Sequence, residues 1–251
     1  MHNAFKLNNI DGVSFLSVPS FDETGLCVTC FSTRLGGVSR PPLDSMNLGF
    51  GRGDERETVL ENYRILGGAA HFPHERLVAF TQVHKNDVFV AEEKDAGEAF
   101  VAQKREYDAV VTNVRNLPIA TYHADCVPVL LLDPKRCAVG VAHAGWRGTA
   151  LSCPAAAVRK MCEAFSSDPG DILVGIGPAI GECCFETDGD VPEAMLSSFG
   201  DDVSHFIKRG DNGKFRVSLS GINAFSLIKA GIPQKNITLS RECTCCKSEL
   251  Y

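Results

Sequence analysis

Cys126-Val-Pro-Val-Leu-Leu-Leu-Asp-Pro-Lys-Arg-Cys-Ala-Val-Gly-Val-Ala-His-Ala-Gly-Trp-Arg-Gly148 is the stretch on which the fold turns. Val127 to Leu132 is almost wholly apolar and stops at Asp133-Pro134, as a strand buried on both faces would, and Ala138 to Ala142 repeats the pattern. The chain then turns through Gly145 and Gly148 into a predicted helix from about Thr149 to Phe165, and Ile172 to Ile176 returns as another apolar strand. Strand, glycine turn, helix and strand in succession define an α/β chain.

Working outward, Leu77 to His84 and Val88 to Ala91 read as two strands of a hairpin joined at Lys85-Asn86-Asp87. Tyr107 to Thr112 and Leu117 to Tyr122 are further short β-like runs. Phe31 to Gly53, rich in Gly, Pro, Ser and Asn, reads as a long surface connection. A helix is expected from Asp54, with Glu57 as its capping-box partner, Gly67-Gly68 as its stop, and Val59, Leu60, Tyr63 and Leu66 on its apolar side. Pro192 to Phe199 and Ile222 to Ala230 are two later helices, and Ile237 to Ser240 is a last strand. With no internal repeat and no evident linker, residues 1–251 read as a single α/β domain with a mixed sheet.

A net charge of −6 gives no overall attraction for nucleic acid or an anionic membrane. Met1 to Ser20 lacks the continuous apolar core of a signal peptide, and no stretch is long enough to span a bilayer. Eleven cysteines, odd in number and diluted over the chain, fit a reducing cytoplasm better than a disulfide scaffold. Cys183-Cys184 and Cys243-Thr-Cys245-Cys246 form clusters without the paired spacing of a zinc ribbon, so free thiols are expected there rather than a second metal site.

Three residues that end or flank strand-like runs could ligate a metal: His84, Cys126 and His143. Two imidazoles and a thiolate suit zinc and leave a fourth position open, as catalytic sites do. Asp125, a charge at the mouth of a buried strand, could orient a ligating histidine, accept a substrate hydroxyl or cap a loop. His123 lies an odd number of positions from Cys126, which sends it to the opposite face of a strand and leaves it to support a ligand from behind or to meet substrate. Arg147 follows a glycine turn where backbone N–H groups and a guanidinium could meet an anion. Trp146 is expected to pack in the core. His2, His71, His74 and His205 lie in polar or irregular surroundings and are expected to be solvated.

Several words occur in order: Phe31-Ser-Thr-Arg-Leu-Gly-Gly-Val-Ser39, Asn47-Leu-Gly49, Gly53-Asp54, Thr81-Gln-Val-His84, Asp108-Ala-Val-Val-Thr112, His123-Ala-Asp-Cys-Val-Pro128, His143-Ala-Gly-Trp-Arg-Gly148 and Gly177-Pro-Ala-Ile-Gly181. Together they resemble the laccase-domain, or multicopper polyphenol oxidoreductase-like, family, over roughly Phe31 to Cys245. The resemblance implies an α/β/β/α layered domain with zinc held at the positions of His84, Cys126 and His143. It also implies phosphorolysis of adenosine, inosine, guanosine or methylthioadenosine, and deamination of adenosine. Copper fits the residues less well, because blue and trinuclear copper sites together need many more histidines.

Within that implied chemistry Cys126, His143 and Asp125 are the catalytic candidates. Arg34 and Arg147 are candidate phosphate contacts, and Asn47 and His123 candidate orienting groups. The family usually has glycine where Lys85 follows the first ligating histidine. It also commonly continues into a Phe-Ser-Tyr-Arg-Arg stretch, whereas these residues end at Tyr251, so contacts from such a tail are not expected here. Two other readings stand beside this one: a cysteine hydrolase or amidase with Cys126 as nucleophile and His143 as base, acting on something like a cell-wall precursor, and a non-catalytic protein stabilised by metal.

Overall fold

The computed structural model describes residues 5–101, 105–210 and 212–251; His2 lies outside them. In chain order the regular elements begin with β1 (Lys6–Ile10), β2 (Val13–Ser17), a short α1 (Pro19–Asp22) and β3 (Phe31–Ser32). The middle of the chain holds α2 (Arg56–Ala70), β4 (Val88–Val90), β5 (Ala109–Thr112), β6 (Val127–Asp133), β7 (Ala138–Ala144), α3 (Trp146–Ala150), α4 (Cys153–Phe165) and β8 (Leu173–Ile176). It closes with β9 (Glu186–Thr187), α5 (Asp190–Phe199), β10 (Ile207–Arg209), β11 (Phe215–Val217), α6 (Leu219–Lys229) and β12 (Ile237–Leu239).

The two apolar runs of the opening stretch are the centre of a six-stranded mixed sheet, ordered β12-β8-β6-β7-β5-β4. β6 and β7 pair antiparallel over their whole length, from Val127 opposite Ala144 to Asp133 opposite Ala138. Both faces are covered, which is why neither strand alternates polar with apolar. On one face α4 packs over β7 and β5, with α6 against α4, burying Val129, Leu131, Val158, Met161 and Leu227. On the other lie Val78, Phe80 and Leu117 from extended segments, together with Val18 and Phe21. Beyond them the small sheet β1-β2-β3 meets α2. The chain is a mixed α/β single domain with several sheets, as its sequence pattern implies.

Three local expectations fail for identifiable reasons. Leu77 to His84 and Val88 to Ala91 form no hairpin: β4 pairs parallel with β5, while the earlier segment makes isolated bridges from Val78 to Ile119 and from Thr81 to Glu106. The helix expected from Thr149 to Phe165 is two helices, broken at Ser152 (φ 54°). Pro154 enforces the break, since inside a continuous helix its ring would collide with the carbonyl four residues back; instead it sits in the first turn of α4. Finally, α2 runs through Gly67-Gly68 and ends at left-handed His71. Gly67 is there for close packing, because a Cβ would lie 2.9 Å from His74 Cβ and 3.0 Å from the Phe72 carbonyl. Asp54 does not cap this helix by side chain; it accepts from Ser39 (2.6 Å) and Asn47 (3.1 Å).

Candidate metal centre

At one end of the β5-β7-β6 trio, the side chains of His84, Cys126 and His143 converge, with candidate ligand atoms all within 4.8 Å of one another. His143 is the next-to-last residue of β7, Cys126 directly precedes β6, and the strand pairing that sets Pro128 opposite His143 brings the two together. His84 comes from the irregular segment before β4. Its Nε2 is 3.9 Å from Cys126 Sγ, close to the roughly 3.6 Å that two donors at zinc bond lengths would subtend at a tetrahedral ion.

The organiser of the site is Asp108, fully buried just ahead of β5. Its carboxylate accepts three consecutive backbone N–H groups, from Val83 (3.2 Å), His84 (2.9 Å) and Lys85 (2.8 Å). It also accepts His143 Nδ1–H at 2.8 Å, and its own carbonyl takes the His143 backbone N–H at 2.7 Å. The three N–H bonds support His84 in the left-handed region (φ 61°), which residues with a Cβ adopt uncommonly. In the neutral ring the Asp108 bond keeps the proton on Nδ1 and leaves the lone pair on Nε2, the form in which His143 can ligate a metal. One carboxylate therefore positions two of the three candidate ligands.

Charge follows from these bonds. Burial opposes ionisation of Asp108, yet the His143 bond and the three backbone donors outweigh it and keep the carboxyl below its ordinary range. Burial likewise opposes protonation of His143, but Asp108 and Cys126 overcome it and raise its pKa to about 9. In the metal-free chain a folded pKa above the ordinary 6.5 contributes stability that is complete at lower pH and fades as pH climbs through about 9. Thermal unfolding of chelated protein is thus expected to show stability falling by up to about 3 kcal/mol between these limits. Metal-loaded protein should lack this slope.

His123 stands 5.2 Å, ring to ring, from His143, but both its nitrogens are engaged locally. Nδ1 lies 3.2 Å from the Cys126 carbonyl, which can only accept, so Nδ1 carries the proton and Nε2 accepts from Thr121 Oγ1 at 2.8 Å. Burial, with His143 nearby, lowers its pKa to about 3, so the ring is neutral and clamps the Cys126 loop. Asp125 is exposed and accepts Thr244 Oγ1 at 2.6 Å; the histidine-orienting role weighed for it falls to Asp108. Arg147 is exposed and stacks on Trp146, its guanidinium carbon 4.1 Å from the ring centroid, while Trp146 packs at the core's edge. Arg34 donates to the carbonyls of Asp44 (3.0 Å) and Ser248 (3.3 Å). Asn47 is turned inward to Gly49 and Asp54.

Gly145 closes the floor of the centre. A Cβ there would lie 2.8 Å from both Cys126 Sγ and His84 Cδ2, inside any tolerable contact. Gly145→Ala should therefore spread the donors and weaken metal binding by about 10-fold or more while leaving the fold's circular dichroism intact. Metal titration against a chromophoric chelator reads the change.

A mixed α/β domain carrying an open centre of two histidines and one cysteine is the class that fold and site define. The chain belongs to the family described as multi-copper polyphenol oxidoreductase laccase, whose model matches residues 28–251. It is 34% identical over 227 residues, 89% of this chain and 83% of the relative, to the purine nucleoside phosphorylase YlmD of Geobacillus stearothermophilus. It is 32% identical over 225 residues to adenosine deaminase RL5 of an unknown prokaryotic organism, covering 88% of this chain and 85% of that one. A crystal structure of the Bacillus licheniformis hypothetical protein YfiH superposes with a TM-score of 0.88 at 31% identity, over 98% of this chain and 91% of that one.

Proposed function

We propose that this chain is a zinc-dependent purine nucleoside phosphorylase that also deaminates adenosine, acting at His84, Cys126 and His143. The observation that carries the reading is the arrangement of these donors. Two imidazoles and a thiol lie within bonding reach of one ion, one imidazole is locked by a buried carboxylate, and the exposed His84 side stays open to a fourth group. The named relatives supply the substrate class: nucleosides with phosphate, and adenosine. Among the described residues no helix is long and apolar enough to cross a membrane; a cytoplasmic site of action is part of the same reading.

Zinc held by these three donors would supply Lewis acidity toward a purine or a water at its open position. The chain's own residues do the rest. Asp108 keeps His143 in the tautomer that offers Nε2, and His123 clamps the loop bearing Cys126. Arg147, held by the Trp146 ring, and Arg34, held by two carbonyls, provide fixed positive charge for phosphate. Asp125, beside Cys126 and without a basic partner among the described residues, would accept a ribose hydroxyl. Asn47 orders the loop that carries Arg34 and Asp54.

Incubating zinc-loaded protein with adenosine, with and without phosphate, and resolving adenine, inosine and hypoxanthine tests the proposal. Phosphate-dependent release of adenine and phosphate-independent formation of inosine are expected; absence of both contradicts it. A second reading has its own observation, since Cys126, His143 and Asp108 also fall in the order nucleophile, base and orienting acid of a cysteine hydrolase. Alkylation of Cys126 separates the two. Protection by zinc that chelation relieves supports the metal site, and equal, rapid alkylation in both states supports the hydrolase.

A further inference from the structure

Cys183 and Cys184 lie about sixty residues from Cys243 and Cys246 in sequence, yet the four sulfurs meet, all within 4.8 Å of one another. Cys246 Sγ is 3.6 Å from Cys183 Sγ and 3.4 Å from Cys184 Sγ. Four thiolates bound to one tetrahedral zinc at about 2.3 Å lie roughly 3.8 Å apart, so the spacing needs only small adjustment. All four cysteines are free thiols. Cys243 and Cys246 form a Cys-x-x-Cys pair that the intervening Cys245 hides in the sequence.

The surroundings suit a metal thiolate. Gly181 donates its backbone N–H to Cys243 Sγ at 3.2 Å, the kind of bond that offsets charge on a coordinating sulfur. Arg216 donates to the Cys183 carbonyl and brings a cation beside the cluster. A Cβ on Gly181 would press on Cys183 Sγ at 3.1 Å and Cys243 Cβ at 3.2 Å, so the turn is fitted around the sulfurs. Four protein donors leave no open position, which is the mark of a structural centre.

We infer that Cys183, Cys184, Cys243 and Cys246 bind a second, structural zinc ion, distinct from the His84-Cys126-His143 centre, that clasps the C-terminal segment to the loop after β8. What it would hold in place is specific. Residues 243–250 reach the open centre's neighbours: Thr244 bonds Asp125, and the carbonyls of Ser248 and Leu250 take the Arg34 side chain and backbone N–H. Binding exchanges the thiol protons for Zn²⁺, with no change of oxidation state.

Zinc content of wild-type protein purified under reducing conditions, with Cys246→Ser, Cys183→Ser and Cys126→Ser alongside, tests this. About two ions per chain are expected in wild type and about one in each variant. Should a variant fail to fold, wild-type protein decides alone. Cobalt replacement should give the intense near-ultraviolet charge-transfer bands of a four-thiolate site, and peptide mapping should find the four cysteines shielded from alkylation until chelator is added. One ion in wild type that Cys246→Ser leaves unchanged overturns the inference. So does free alkylation of these cysteines in the zinc-replete chain, or a disulfide among them. None of these outcomes depends on which nucleoside reaction the protein performs.

Discussion

Asp108→Ala is expected to lower affinity for the metal by about 10- to 100-fold and to depress both proposed nucleoside activities with it, though Asp108 is not among the candidate ligands and is fully buried. The reason is its double engagement. Removing the carboxylate frees the His143 ring to turn and change tautomer, and it also leaves three adjacent N–H groups without the acceptor that holds His84 at positive φ. Hydrogen bonds to a charged group are worth about 1.5–3 kcal/mol each, and water can replace part of this at the exposed edge near Lys85, so a stability loss of about 3 kcal/mol is expected. Asp108→Asn separates position from fold: it keeps the volume, but its amide nitrogen faces N–H donors and cannot accept from them. Metal titration and denaturant unfolding of both variants check the two effects. Normal metal affinity in Asp108→Asn would remove Asp108 from its positioning role.

Loss of a ligand itself should be larger still. Cys126→Ser and His143→Ala each leave two donors where three are needed to hold an ion with a free position. Since removal of a residue that only orients a ligand already costs about 10- to 100-fold, each should reduce both phosphorolysis and deamination by about 100-fold or more. The two reactions are expected to fall together, because the proposed function rests both on the same centre. Steady-state rates with adenosine, with and without phosphate, measure this. A variant that lost one activity and kept the other would place the reactions at different residues.

The parts of this protein most legible in its sequence are those whose burial is symmetrical. Val127 to Leu132 and Ala138 to Ala142 are apolar because both faces of the sheet are covered, and that pattern needs no partner to be named. Pairing is another matter. Val88 to Val90 finds β5 rather than its neighbour in the chain, a choice fixed by long-range packing that local alternation does not encode. Neither helix boundary was read correctly: Pro154 lies inside the helix expected from Thr149 to Phe165 and breaks it, whereas Gly67-Gly68 suggested an end that close packing against His74 converts into continuation.

Cys126 and His143 could be picked out by residue type and by their places beside apolar runs, and His84, which lies on an irregular segment, rested on the family resemblance; the residue that positions two of them was missed. Asp108 carries the same signal used for Asp125, a carboxylate at the mouth of an apolar run, Ala109-Val-Val. Only the fold tells the two apart, burying one against His143 and leaving the other exposed against Thr244. The four-cysteine cluster was obscured for a related reason, since its two halves are distant in sequence and meet only in the fold, where Ala179 bridges to Cys243 and Gly181 donates to its sulfur.

Anomalous diffraction at the zinc edge from crystals of the zinc-loaded chain tests the central claim most directly. A peak is expected about 2.0–2.3 Å from His84 Nε2, Cys126 Sγ and His143 Nε2, with His143 Nδ1 still bonded to Asp108. Zinc-replete crystals with no peak among these three atoms would contradict it.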